Sequence, residues 1–237
     1  MSEDVVAAEK LLRDELVGYD ATSNLEFHLK VLALQKKGRH ISHFGFGQSP
    51  FPVPECIQKA LRQSADVHEY LPPAGIPKLR GRIVEFHVNN GDFSTHFDID
   101  SVIIGAGSIQ ACALIFNVFR GDGILVSPTW PAYPVVAHLQ PTGAHLLHTT
   151  HGQRYFPSAD NLAEFVQKHC DCLKELATVC RKHKILVLSD EIYARLQFNG
   201  VHKSIAMHYP EGTIVMEWTV KMGQSRRLAS WLRTVPG

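Results

Sequence analysis

The sequence predicts an α/β fold, a mostly parallel sheet covered by helices. Three observations carry this. Residues 185–189 (Ile-Leu-Val-Leu-Ser) are apolar or small without alternation, as in a strand covered on both faces, and the run ends in Asp190. Residues 101–104 read as a short strand, then a Gly105-Ala106-Gly107-Ser108 turn, then an apolar helix over 109–119. A Gly121-Asp122-Gly123 turn feeds another apolar strand, closed by Pro128 and Trp130. Strands alternating with helices indicate a parallel sheet, and in such sheets chemistry gathers beyond the carboxyl ends of the strands.

The remaining elements follow in order. Residues 5–16 have helical periodicity, and Ser23 reads as the N-cap of a helix running to about 37 and closed by Gly38. Ile41 to Pro52 holds a short strand and a loop with Gly45, Gly47 and two prolines, either a plain turn or a backbone able to approach a ligand closely. A helix is expected over 54–63 with Pro54 in its first turn, and another from Pro77. Further on, 144–149 reads as a strand, 157–168 as a helix, the stretch before 185 as a helix and 213–216 as a strand. The domain division expected is an N-terminal helical segment, 1–45, and a larger domain, 46–237.

Composition bounds the function. With 237 residues, 45% hydrophobic and 20% charged, the chain has the make-up of an ordinary globular protein. A formal net charge of +1 gives no electrostatic reason to expect a nucleic-acid or membrane partner. The acidic start, Met1-Ser2-Glu3-Asp4, lacks a signal-peptide pattern, and five irregularly spaced cysteines suit a reducing compartment, so a cytoplasmic location is expected. Cys170, Cys172, Cys180 and His183 carry zinc-ligand chemistry but not a zinc-knuckle spacing, so no metal is expected.

Several blocks carry candidate chemistry, each with a plainer reading beside it. Asp190, with Tyr193 three residues on, stands where a strand-end acid serves a ligand or caps a turn. Gly107 and Ser108 open a helix whose N-terminal N–H groups and dipole favour an anion, and Ser108 could equally cap that helix. Neither Gly-x-Gly-x-x-Gly nor Gly-Lys-Ser/Thr occurs there, which argues against a dinucleotide or P-loop nucleotide. Trp130 is either a stacking platform for a flat ring or a buried indole. Tyr70 opens Tyr-Leu-Pro-Pro-Ala-Gly-Ile-Pro-Lys-Leu-Arg and is either a ligand contact or core packing.

Together, Ser-Asp-Glu-Ile-Tyr, Tyr-x-Pro-x-x-Gly-x-x-x-Leu-Arg and Gly-Asp-x-x-x-x-x-Pro-x-Trp-Pro-x-Tyr resemble the class I/II (fold type I) pyridoxal-phosphate-dependent aminotransferases of aspartate aminotransferase type. They occur in that family's order, over roughly residues 20–216. The resemblance implies the family's large domain, with the N-terminal segment contributing to a small α/β domain. It implies pyridoxal 5′-phosphate (PLP), held as a lysine Schiff base, and transfer of an amino group from an amino acid to a 2-oxo acid. By the same resemblance Asp190 pairs with the pyridinium nitrogen, Tyr193 with the ring 3′-oxygen and Trp130 with the ring face. Gly107 and Ser108 hold the phosphate, Gly47 faces the substrate, and Tyr70 reaches the neighbouring subunit's cofactor phosphate, which implies a homodimer.

The chain also departs from the pattern. The family's Asn-Pro-x-Gly, at the end of a strand between those expected at 144–149 and 185–189, occurs nowhere, so one interior strand is expected to be missing. Lys221, 28 residues past Tyr193, stands near the place of the Schiff-base lysine, but its flanks, Glu217 to Arg227, do not match. Suitable codons for Glu217 to Leu232, read one base later, spell the family's lysine motif, and the family's C-terminal small-domain part does not follow. The alternative reading is therefore a truncated, catalytically inactive relative, either a gene-model product or a non-enzymatic dimer partner. Lyases of the same fold share the motifs.

Overall fold

A computed structural model describes residues 23–45, 51–92, 97–139, 143–153, 155–157, 172–196, 200–217 and 229–233. The helices expected at 5–16 and 157–168, and both Gly47 and Lys221, lie outside these residues. The chain divides into two compact units, Met1–Gly47 and Gln48–Gly237.

In the first unit, helix α1 covers Ser23–Lys36. It closes as a glycine-terminated helix does: Gly38 has φ +81°, and the N–H groups of Gly38 and Arg39 donate to Gln35 and Leu34 at 2.9 and 3.2 Å. Among the described residues 41–45, the short strand expected from Ile41 does not form. Residues 39–44 run irregularly, held to α1 by His28 and His43, whose rings stack with centroids 5.1 Å apart.

The second unit holds the strands. Helix α2 (Glu55–Gln63) buries none of its residues. Helix α3 (Pro77–Asn89) starts on its proline, which has no N–H to lose, and buries Ile83 and His87. Between them, Gly75 at φ +98° lies flat against β1 (Val102–Gly105), where a Cβ would run into the Ile104 side chain. Arg80 donates to the carbonyls of Val102 and Ile99 at 2.8 and 2.6 Å. The Gly and Arg of the Tyr-x-Pro-x-x-Gly-x-x-x-Leu-Arg block thus dock this connector onto β1.

Helix α4 (Ser108–Val118), strand β2 (Gly123–Ser127), helix α5 (Ala132–His138), strand β3 (Ala144–His148), helix α6 (Cys172–His183), strand β4 (Val187–Asp190), strand β5 (Thr213–Glu217) and strand β6 (Ala229–Arg233) complete the order. Strand β5 is the buried centre. Its side chains alternate: Ile214 and Met216 pack with Ala111, Cys112 and Ile115 of α4 and Val136 of α5. Val215 packs on the opposite face with Ile83, Phe97, Val102 and Ala206. Full burial of each such side chain stabilises the fold by roughly 1.5–3 kcal/mol. Under α6, Ala177 and Cys180 pack with Ile205 and Tyr209.

The strands form two sheets, ordered β1-β6-β5-β4 and β2-β3. Pairs β4–β5 and β2–β3 are parallel, as expected. Strand β6 is antiparallel to both neighbours, a departure from the expectation. Only eleven residues separate β5 from β6, fewer than the dozen or more that a parallel crossover requires. Strand β4 also departs from the expectation. Val187, Leu188 and Ser189 are only half-buried, and among the described residues β4 pairs with β5 alone. Its apolar run suits an interior strand, yet among the described residues its other flank has no partner strand.

Candidate functional site

Three strand ends and one helix start supply the site. At the end of β1, the backbone turns at Gly107, φ +119° and ψ 163°, with open space where a Cβ would stand. Only glycine enters that conformation cheaply. It occupies the N-cap of α4 and offers no side-chain cap, so Ser108 is the first residue inside the helix and does not cap it. The first-turn N–H groups have no partner within the helix, and the dipole adds positive potential there. Backbone N–H groups and the Ser108 hydroxyl at this end are the donor types that suit an anion.

The opposite end is built on Asp190, exposed at the tip of β4. Its Oδ1 accepts the Ile192 N–H at 3.1 Å and so caps the following turn. Its Oδ2 accepts the hydroxyl of Tyr133, in the first turn of α5. The turn-capping reading of Asp190 holds in the geometry, and the carboxylate remains exposed. Burial first, and the Asp190 charge second, push the Tyr133 phenol well above its ordinary range, so it stays a neutral donor. The Cys112 thiol beneath is pushed up to about 12 by burial and by Asp190. Cys112 lies one helical turn below Ser108 on the same face of α4, which sets the anion end above the Asp190 end.

Trp130 follows β2 and meets Tyr133 edge to face, ring centroids 5.3 Å apart. It is 37% exposed, so it is not a buried core indole. Tyr193, 50% exposed, stands in the turn after β4. The fold brings together Trp130, Tyr133 and Asp190 beside Cys112 of α4, with Tyr193 in the turn that follows Asp190. Tyr70 is not brought in. It is fully exposed and does not pack in the core of this chain.

Sequence reasoning missed Tyr133 and Glu191. The signal for Tyr133 lay in its block: three residues past Trp130, at a helix start following β2, it had to emerge beside a neighbouring strand end. Glu191 turns inward behind Asp190 and is 6% exposed. It accepts from Ser189 Oγ, Ser204 Oγ and His202 Nε2 at 2.9, 2.6 and 2.7 Å. Beside it, His87 Nδ1 is 3.0 Å from Asp92, and its Nε2 is 2.9 Å from Glu217 as an ion-pair contact rather than an aligned hydrogen bond. Arg195 also pairs with Asp92.

Known proteins resemble this chain. The family of class I and II aminotransferases matches residues 39–171, more than half of it. An aspartate/prephenate aminotransferase of Thermus thermophilus is 26% identical over 227 residues, covering 84% of this chain and 57% of that protein. A probable N-acetyl-LL-diaminopimelate aminotransferase of Bacillus subtilis is 26% identical over 210 residues, covering 78% and 52%. The chain therefore spans somewhat more than half the length of these curated relatives. In fold, it is similar to the solved aspartate aminotransferase of Thermus thermophilus with maleate, TM-score 0.81 at 23% identity over 94% of this chain and 64% of that one. The alanine aminotransferase of Pyrococcus furiosus gives a TM-score of 0.77 at 23% identity, covering 95% and 64%. By its sequence and its fold, this chain belongs to the aminotransferase class I and II family.

Proposed function

We propose that the protein binds pyridoxal 5′-phosphate and takes part in transferring an amino group between an amino acid and a 2-oxo acid. The observation that carries this is the convergence of Trp130, Tyr133 and Asp190 below the N-terminus of α4. The donor set fits the cofactor: backbone N–H groups and a hydroxyl for phosphate, an indole for a flat ring, and a carboxylate for a protonated ring nitrogen. When bound, the cofactor supplies an electron sink for charge developing at the substrate Cα.

The chain's own residues would do the following. Asp190 keeps the proton on the ring nitrogen, and Tyr133, held neutral, keeps Asp190 oriented. Tyr193 donates to the ring oxygen, and Trp130 covers one ring face against water. Gly107 and Ser108 hold the phosphate. Lys221 would carry the cofactor and move the proton between Cα and C4′. Tyr70 would reach a second subunit. A homodimer is supported by the full exposure of Tyr70 and by an α2 that buries nothing. A cytoplasmic location is part of the same proposal.

One experiment tests the reading. The protein is incubated with pyridoxal 5′-phosphate, reduced with borohydride and digested, and the labelled peptide is identified by mass. Label on Lys221, lost in Lys221→Ala, is the expected result. An unlabelled protein overturns the Schiff-base role. A second reading, an inactive relative, is favoured by the sheet split beside β4. It predicts that the cofactor binds but no amino group passes from amino acid to 2-oxo acid.

A further inference from the structure

Behind the Asp190 tip lies a polar cluster to which the proposed reaction gives no part. Glu191 has all of its polar groups committed. Its N–H donates to the Met216 carbonyl on β5 at 2.9 Å, and its own carbonyl accepts the Ala194 N–H at 2.9 Å. Its side chain, 4% exposed, collects three donors. Ser204 Oγ accepts the Ala206 N–H at 3.0 Å, which leaves its hydroxyl proton for Glu191. Asp190 and Tyr193 flank this residue. Their backbone positions follow from where Glu191 is pinned, since one turn closed by these hydrogen bonds carries both.

We infer that Glu191, gripped by His202 and Ser204, is the positioning residue that aims Asp190 and Tyr193 at the same ring. This rests on the proposed cofactor site and names the residue that sets its geometry. Five groups bear on His202 and its surroundings: Glu191 from the turn after β4, Glu217 from the end of β5, Asp92 from beyond α3, and the latter's partners His87 and Arg195. The Glu191 hydrogen bond, partly opposed by burial, raises the His202 imidazole above its ordinary 6.5. The grip is therefore complete while His202 is protonated and loosens as pH rises through its titration.

The test compares the full 237-residue chain with Glu191→Gln, His202→Gln and Asp190→Ala, using pyridoxal 5′-phosphate and inorganic phosphate as separate probes. A misaimed carboxylate weakens only the ring end. Glu191→Gln is expected to lose about tenfold or more in pyridoxal 5′-phosphate affinity with phosphate affinity unchanged. Loss of both affinities together marks a merely structural role and overturns the inference. His202→Gln, whose side chain is 21% exposed in the parent, tests the same grip where Glu191→Gln does not fold. It is expected to abolish the fall in cofactor affinity with rising pH, and a retained fall overturns the proposal. Cofactor binding that is lost in Asp190→Ala but intact in both other variants sinks this inference and leaves the site standing. A parent chain that binds no cofactor removes the site and the inference with it.

Discussion

The two ends of the candidate site are made in opposite ways. The anion end is local: Gly105 to Gln110 form a strand end, a glycine turn and a helix start in one continuous stretch. The ring end is assembled from afar, since Tyr133 and Asp190 are 57 residues apart, the first in helix α5 after β2 of one sheet and the second at the end of β4 in the other. The first end needs only backbone geometry. The second needs α4, α5, β4 and β5 all in register, and a buried ionic cluster behind it. A change in any of these distant segments therefore damages the ring end more readily than the anion end, and among the described residues β4 has a strand on one flank only.

Variants separate the two ends. The largest effect is expected from Met216→Ala, which removes the shared floor under Cys112. It should cost about 2–5 kcal/mol in denaturant unfolding and weaken both ends together. Unchanged stability would show that the ends do not share that floor. Next is Asp190→Ala, which deletes a charged acceptor at the ring end alone. Its pyridoxal 5′-phosphate affinity should fall by roughly 1.5–3 kcal/mol while inorganic phosphate binds as before. Equal loss of both ligands would erase the distinction between the ends.

Gly107→Ala reverses the pattern. A side chain at φ +119° is strained, so phosphate and cofactor affinity should both drop, by about 1 kcal/mol or more, with the Asp190–Tyr133 contact intact. Phosphate titration of the variant decides this. Ser108→Ala should have the same sign and a smaller size, about 0.5–1.5 kcal/mol, because backbone N–H groups remain. The smallest effect is on stability against pH. The raised His202 contributes stability that is fully present below about 6.5, the unfolded value, and is lost as pH rises through the folded one. The parent's melting temperature should therefore decline over that window relative to His202→Gln. Parallel curves would show that His202 adds nothing.

The glycine at 107, the indole at 130 and the carboxylate at 190 were each legible, because a turn, a strand end and a residue type announce themselves locally. Tyr133 was not, since its partner lies across a sheet boundary. Glu191 read as a neighbour of Asp190 and nothing more, because only the fold turns consecutive residues to opposite sides of a strand end.

The sequence by itself determined the order of strands and helices, the glycine turn and the aminotransferase motifs, all properties of contiguous segments. The tertiary structure decided the rest: that β6 runs antiparallel, that the sheet divides beside β4, and that Glu191 turns inward to a half-buried histidine while Asp190 stays exposed. Pairing and burial are fixed by which segments find each other across long stretches of chain, and no local pattern encodes that choice.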